Sequence, residues 1–130
     1  LKQLLFLLCV LVFIVACFKE EEKYYTHLYG WVRDPSTPDT NGVDGIVVQI
    51  VDINPKDVSR NRIREDTTHT VDSLHGFFEM DSVCYGTSGY MGAQTVMIHI
   101  DSTKNPGYPT QWWFPDIGGG VDTVILHIKH

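Results

Sequence analysis

The chain has 130 residues, room for one domain rather than two, and carries 10 Lys and Arg against 16 Asp and Glu, a formal charge of −6. It has no long basic run, and Arg60, Arg62 and Arg64 stand beside Glu65 and Asp66. The clustered positive charge that phosphate binding needs is missing, so nucleic acid is not an expected partner.

Lys2 opens a run, Leu4 to Val15, that is apolar throughout. A bilayer-spanning helix needs about 20 such residues, so the run predicts the core of a secretory signal peptide instead. Ile14-Val15-Ala16-Cys17 then resembles the bacterial lipobox: an aliphatic residue, a permissive position, a small residue and cysteine. The resemblance implies a bacterial lipoprotein precursor, with residues 1–16 removed, Cys17 lipidated on sulfur and its freed amino group acylated. Two or more acyl chains anchor stably, at about 0.8 kcal/mol per buried methylene. The membrane is therefore an expected partner, reached through lipid on Cys17.

Residues 17–24 follow as a charged tether, Phe18-Lys19-Glu20-Glu21-Glu22-Lys23, too polar to bury itself. Lys19-Glu20-Glu21-Glu22 also resembles the acidic export signal of bacterial surface lipoproteins, which implies the outer membrane or cell surface. The simpler alternative is a spacer kept soluble by its charge. Loss of Lys2 with the signal takes the formal charge to −7. Cys9 would leave with the signal and Cys17 would carry lipid, so Cys84 has no disulfide partner and no cysteine-based metal site forms.

Residues 25–130 are expected to form one domain. Two-residue alternation dominates it: Leu28, Gly30 and Val32 face one way, and His27, Tyr29, Trp31 and Arg33 the other. Asp34 to Gly42 is dense in turn formers. Ile46 to Val51 alternates again, Pro55 to Asp66 reads as a polar connection, and Thr67 to Val71 is β-prone. His75-Gly76 reads as the turn before Phe77-Phe78-Glu79-Met80. Thr95 to Ile100 and Val121 to Ile128 are the clearest strands, separated by breakers around Pro106 and Gly118 to Gly120.

About seven short strands of this kind predict an all-β, antiparallel sandwich. Leu28, Val32, Ile46, Val48, Ile50, Phe78, Met80, Val96, Ile98, Val124, Leu126 and Ile128 are its predicted core.

Gly30-Trp31-Val32-Arg33-Asp34, Gly45-Ile46-Val47-Val48, Asp72-Ser73-Leu74-His75-Gly76-Phe77-Phe78 and the closing Asp122 to Leu126 follow a recognisable order. They resemble the carboxypeptidase regulatory-like family over about residues 26–129. The resemblance implies a transthyretin-like, Ig-like Greek-key sandwich in a secreted or envelope setting, and it supplies no catalytic residue. Cys84 to Gln94 departs from the family pattern, where one short turn is usual.

No catalytic residue, metal site or cofactor is expected. The serines lack a Gly-x-Ser-x-Gly elbow or a positioned base, and the loop aspartates lack calcium-loop spacing. His99, Asp101 and His127 lie on outward strand positions and would suit zinc only if their strands were neighbours. His130 is read as mobile. Aromatics are the stronger signal: Trp112 and Trp113, helped by Tyr108, read as a loop between Pro109 and Pro115. Large aromatics stack on sugars and partner proteins, although adjacent tryptophans also suit one ring in the core and one on the surface. The expected function is thus non-enzymatic: a binding or structural module of the cell envelope, its partner an envelope protein or a glycan. The alternatives are a carbohydrate-binding accessory lipoprotein for nutrient uptake and, further off, a metal-dependent hydrolase.

Overall fold

The computed structural model describes residues 1–17, 20–36, 42–89 and 95–130, the side chains of 13–17 left aside. After helix α1 (Lys2–Cys17) come strands β1 (Lys23–Arg33), β2 (Val47–Ile53), β3 (Asn61–Thr67) and β4 (His69–Val71). They are followed by β5 (Leu74–Thr87), β6 (Met97–Ile100), β7 (Gln111–Trp113) and β8 (Val121–His127). The strands form two four-stranded sheets, β4-β5-β1-β8 and β3-β2-β6-β7. The all-β, two-layer character follows from the alternation of the sequence.

Ten of the twelve predicted core residues are buried, and the other two, Met80 and Val124, are half-buried against the same cluster. Inward positions on both sheets interlock there: Leu28 and Val32 of β1 and Phe78 of β5 meet Val48 and Ile50 of β2 and Ile98 of β6. Gly30 sits directly opposite Phe78 across the β1–β5 ladder. A Cβ at Gly30 would lie 2.1 Å from the tip of the Phe78 ring. Glycine is required there because the ring lies where its side chain would stand.

Several expectations are corrected. Asn61 to Thr67, mostly within the stretch read as a connection, is strand β3, one of eight strands among the described residues. It escaped notice because its inward positions are Arg62 and Arg64 instead of aliphatics. The hairpin turn is Asp72-Ser73, both at positive φ (50° and 65°), and His75-Gly76 lies inside β5. That two-residue geometry is usually signalled by Asn-Gly or Asp-Gly. The sandwich is also not purely antiparallel, since β8 runs parallel to β1 from His27↔Val121 to Arg33↔His127. The chain reaches β8 from the opposite sheet, and such a crossover permits parallel pairing.

The segment after Pro109 read as a loop contains strand β7, paired with β6 through Ile98↔Trp113 and Ile100↔Gln111. The stretch from Cys84 begins as a continuation of β5 to Thr87, and its residues 90–94 lie outside the described ones. The strand β1 starts at Lys23, paired with Thr87, so the last residues read as tether enter the sheet. Just before it, Glu22 N donates to Ser88 Oγ at 3.0 Å and Ser88 N to Glu22 O at 2.8 Å.

One polar group lies at the centre of this apolar design. Asp52, on an inward position of β2, is fully buried. Arg62 donates to it in a fork, Nε to Oδ1 and Nη2 to Oδ2, both at 2.9 Å, and Arg64 adds a third contact at 3.3 Å. Cys84 N donates to Oδ2 at 2.7 Å. Opposite, β5 gains one residue on β1 around Asp81-Ser82, with Ser82 at φ 51°. A bulge frees backbone carbonyls from the ladder, and here they turn to the arginines: Arg62 Nη2 reaches Ser82 O at 2.6 Å and Arg64 Nη1 reaches Asp81 O at 2.8 Å. The cluster joins the two sheets, and it uses two of the three closely spaced arginines internally.

Candidate functional site

Strand β7 separates the two tryptophans by its pleat. Trp113 and Gln111 face inward, and Trp113 packs against the core. Trp112 faces outward and is 48% exposed. Tyr108 also packs against the core, and burial pushes its hydroxyl pKa up, with the Asp34 carboxylate adding to the shift. The three predicted surface residues are therefore not one patch: Trp112 alone stands on the outer face. Phe114, two residues on, is half exposed and lines a groove with Trp113 and with Thr123 to Leu126 of β8.

The indole of Trp112 lies flat on the imidazole of its cross-strand partner His99, with ring centroids 3.7 Å apart and planes 11° from parallel. The row continues across the sheet. His99 Nδ1 and Gln49 Oε1 are 2.8 Å apart, and Gln49 is the cross-strand partner of His99. Gln49 Nε2 donates to Glu65 Oε1 at 2.9 Å, again across a paired position. Lys104, from the turn after β6, closes the row on the same Glu65 oxygen. These bonds from Lys104 and Gln49 hold the Glu65 carboxyl below the usual carboxylate range.

His99 Nε2 is buried with no partner among the described residues. The Glu65 carboxylate only accepts, so Gln49 turns its NH2 to Glu65 and its Oε1 to His99, and the hydrogen of that contact is carried by His99 Nδ1. Sequence alternation places Gln49, His99 and Trp112 outward one by one. What it lacks is the register that lines them up, which only the pairing of β2, β6 and β7 supplies.

The outer face of the other sheet is aromatic too. Trp31 and Phe77 meet at 5.2 Å, His69 stands edge-on to Phe77 at 5.5 Å, and Tyr29 lies between His27 at 4.4 Å and Phe77 at 6.0 Å. His27 Nε2 is 3.0 Å from Glu79. Much of this surface is self-covered, since Phe77 is buried and Trp31 half-buried.

The remaining histidines are dispersed. His99 and His127 belong to different sheets, so the neighbouring pair that a zinc reading requires does not form. Asp101 instead closes the turn after β6, accepting from Thr103 N and Oγ1. His130 is not loose: its ring packs on Tyr108 and its Nε2 reaches the buried Asp34. His75 and Thr70 both address Asp44 Oδ2, at 2.8 and 2.5 Å, and Gly76 N donates to Oδ1 at 2.6 Å. These bonds lower Asp44 to about 2, His75 contributing most. Thr70 Oγ1 lies against the same imidazole nitrogen, Nδ1, that Asp44 uses, which is not the relay of a nucleophile, base and orienting acid.

Cys17 ends α1, and nothing further is described of its side chain. Among the described residues, no helix is long and apolar enough to cross a membrane. No family model, no curated protein and no solved structure matches the chain.

Proposed function

We propose that this chain is a lipid-anchored protein of the bacterial cell envelope, held at the outer membrane or cell surface through Cys17. Its sandwich serves as a non-enzymatic binding or structural module. The observation that carries the reading is the state of α1. Its side chains from Leu4 to Leu8 stay largely exposed, Leu4 at 71% and Phe6 at 72%, and none of the described side chains of the helix enters the core. A soluble protein rarely tolerates so large an apolar surface. A segment that inserts in the membrane and is then cut away has no such difficulty, and the lipobox-like Ile14-Val15-Ala16-Cys17 lies at its end. The strand β1 begins soon after, at Lys23, which would keep the folded module close to the lipid.

The order of glycine and aliphatic motifs supports placing the sandwich with the carboxypeptidase regulatory-like, transthyretin-like Greek-key domains. The exposed Trp112, backed by His99, supports binding over a purely structural role. Expression of the chain in a bacterial host with labelled palmitate tests the anchoring. The wild type should take up label and sediment with the envelope, and Cys17→Ala should do neither. Equal labelling of the two would end the lipoprotein reading.

A further inference from the structure

The sandwich leaves one long strand edge bare. Gly120 O accepts from His27 N, and Ile128 N donates to Arg33 O. Even-numbered residues of β8 therefore turn their backbone groups to β1, and Val121, Thr123, Ile125 and His127 turn theirs away from the sheet. The next odd residue, Lys129, is held by the Gln111 amide. The backbone groups of the other four have no hydrogen-bond partner at that edge among the described residues. We propose that this edge pairs with β8 of a second copy of the chain, antiparallel about a two-fold axis at Val124, so that the two β4-β5-β1-β8 sheets join into one. The proposal goes beyond the reading of the sandwich as an envelope module and does not depend on the lipid anchor.

Alternating N–H and C=O groups along an extended edge are matched in full by another strand. The other edges are short or blunted. Strands β4 and β7 have three residues each. Along β5 beyond β4, side chains take the free groups: Asp66 the Glu79 N–H, Arg64 and Arg62 the Asp81 and Ser82 carbonyls, Asp52 the Cys84 N–H, and Thr95 the Tyr85 carbonyl. Strand β3 is charged at four of its seven positions, Arg62, Arg64, Glu65 and Asp66. Strand β8 has none of these devices. It runs for seven residues without proline, lysine or bulge, and its one carboxylate, Asp122, is turned in to Thr26 Oγ1 and Gly119 N.

The extent of the bare edge selects both partner and register. With the two-fold at Val124, Val121 faces His127 of the other protomer and Thr123 faces Ile125, so the bare residues pair among themselves. A slip of two residues either way would call on Gly119, within a run of glycines, or on Lys129, which Gln111 already holds. The pairing sets β-branched side chains side by side on the outer face, where Val121 is 64% and Ile125 45% exposed. On the inner face, Val124 meets its own copy at a closely spaced, non-hydrogen-bonded position. There it adjoins the groove of about 330 Å³ that β8 shares with Trp113 and the half-exposed Phe114.

Charge and symmetry fix the direction. Asp122 lies at the start of β8 and Lys129 just past its end, so antiparallel pairing brings unlike ends together and parallel pairing would oppose like ones. A two-fold contact also uses the same patch on both protomers and closes there, which leaves no bare β8 edge to recruit a third copy. Self-repulsion from the −6 of each chain acts against association, which makes the expected dimer reversible and dependent on concentration.

The test uses the full chain expressed in a bacterial host, first in the host envelope and then in micelles of pentaethylene glycol octyl ether. In the envelope, Val124→Cys should give a cross-linked dimer on mild oxidation, because Cα atoms facing each other at a non-hydrogen-bonded position lie about 4.5 Å apart. Thr123→Cys alone and Ile125→Cys alone should cross-link far less, the two expressed together should recover the dimer, and the wild type should give none. In micelles, sedimentation equilibrium should show monomer and dimer in exchange. Ile125→Lys, at an exposed position, should weaken the dimer by about tenfold. Thr123→Pro removes a donor that the fold does not use and should do the same. Thermal melts of both variants close to the wild type would tie the loss to the edge. A wild type that stays monomeric at about 100 μM overturns the proposal, as does a dimer indifferent to both Ile125→Lys and Thr123→Pro. Stronger cross-linking by Thr123→Cys or Ile125→Cys alone than by Val124→Cys overturns the two-fold at Val124. Cross-links to another polypeptide, with none between copies, would overturn the dimer and give the edge to a partner strand.

Discussion

The side-chain amide of Gln111 takes the place of a strand alongside the backbone of Lys129. Its Oε1 accepts from Lys129 N at 2.8 Å and its Nε2 donates to Lys129 O at 3.2 Å. Gln111 lies on β7, the outer strand of one sheet, and Lys129 follows β8, the outer strand of the other. Unpaired edge groups are an aggregation liability, and here one side chain satisfies a donor and an acceptor at once. Gln111→Ala should cost about 1 kcal/mol, since both bonds lie near solvent. It should also raise hydrogen exchange at the Lys129 amide. Gln111→Glu keeps an acceptor and loses the donor, so it should fall between the two in urea melts. Unchanged Lys129 exchange in Gln111→Ala would show that the bridge contributes nothing.

The Asp52 cluster predicts a much larger effect. Its carboxylate is fully buried and holds Arg62, Arg64 and the Cys84 amide. Asp52 in turn raises the pKa of Arg62. Removing the carboxylate would leave two guanidinium groups partly buried without their counter-charge. Breaking a buried pair of this kind costs about 3–5 kcal/mol, and Asp52→Asn should lie near the lower end because each arginine retains some exposure. Arg60→Ala gives the contrast. Its contact with Asp57 is 3.4 Å and well exposed on both sides, and exposed pairs contribute about 0–1 kcal/mol. Similar losses in the two variants, by chemical denaturation, would mean that the cluster is not holding the sheets together.

Gly30 and Phe78 should behave as a coupled pair. Gly30→Ala places a methyl group within the Phe78 ring, which is fully buried and has little room to turn. Overpacking of this sort costs about 1–3 kcal/mol. Phe78→Leu alone should also destabilise, by emptying part of the core. In the double variant the smaller side chain makes room for the methyl, so the combined loss should be less than the sum. A double-mutant cycle in urea measures that coupling directly. Strict additivity would show that the ring does not constrain residue 30.

The same physics explains what could be read from the sequence. Val48, Ile50, Ile98 and Leu126 alternate with polar neighbours, and alternation assigns them inward before any strand pairing is known. The strand β3 was hidden because Asp52 on its neighbour calls for arginines where aliphatics would otherwise announce a strand. The strand β7 was hidden because it is three residues long and lies between Pro109 and Pro115. The candidate site was half visible. Trp112 stood out as an aromatic, but the row behind it joins residues 49, 65, 99 and 112 through three separate ladders. No local pattern carries that register.

The last prediction concerns acid. Asp44 accepts hydrogen bonds from His75, Thr70 and the Gly76 amide, and these lower its pKa from 3.8 to about 2, His75 contributing most. In the unfolded chain the same carboxyl would take a proton near its ordinary value. Between pH 4 and 2 the unfolded state therefore binds more protons than the folded one, and stability falls as the solution is acidified. Above the unfolded value the contribution of Asp44 is complete, and below the folded value it is gone. Asp34, Glu65 and Asp101 are lowered as well and act in the same direction. Asp44→Asn should consequently be less stable than the wild type at neutral pH, and the gap should narrow as pH falls through this window. The slope of melting temperature against pH should flatten in the variant. Urea midpoints taken at half-unit steps from pH 6 to pH 2 would reveal the convergence. A gap that stays constant across the range would mean that the Asp44 carboxylate gains nothing from its three donors, and the hairpin at Asp72-Ser73 would owe its geometry to the backbone alone.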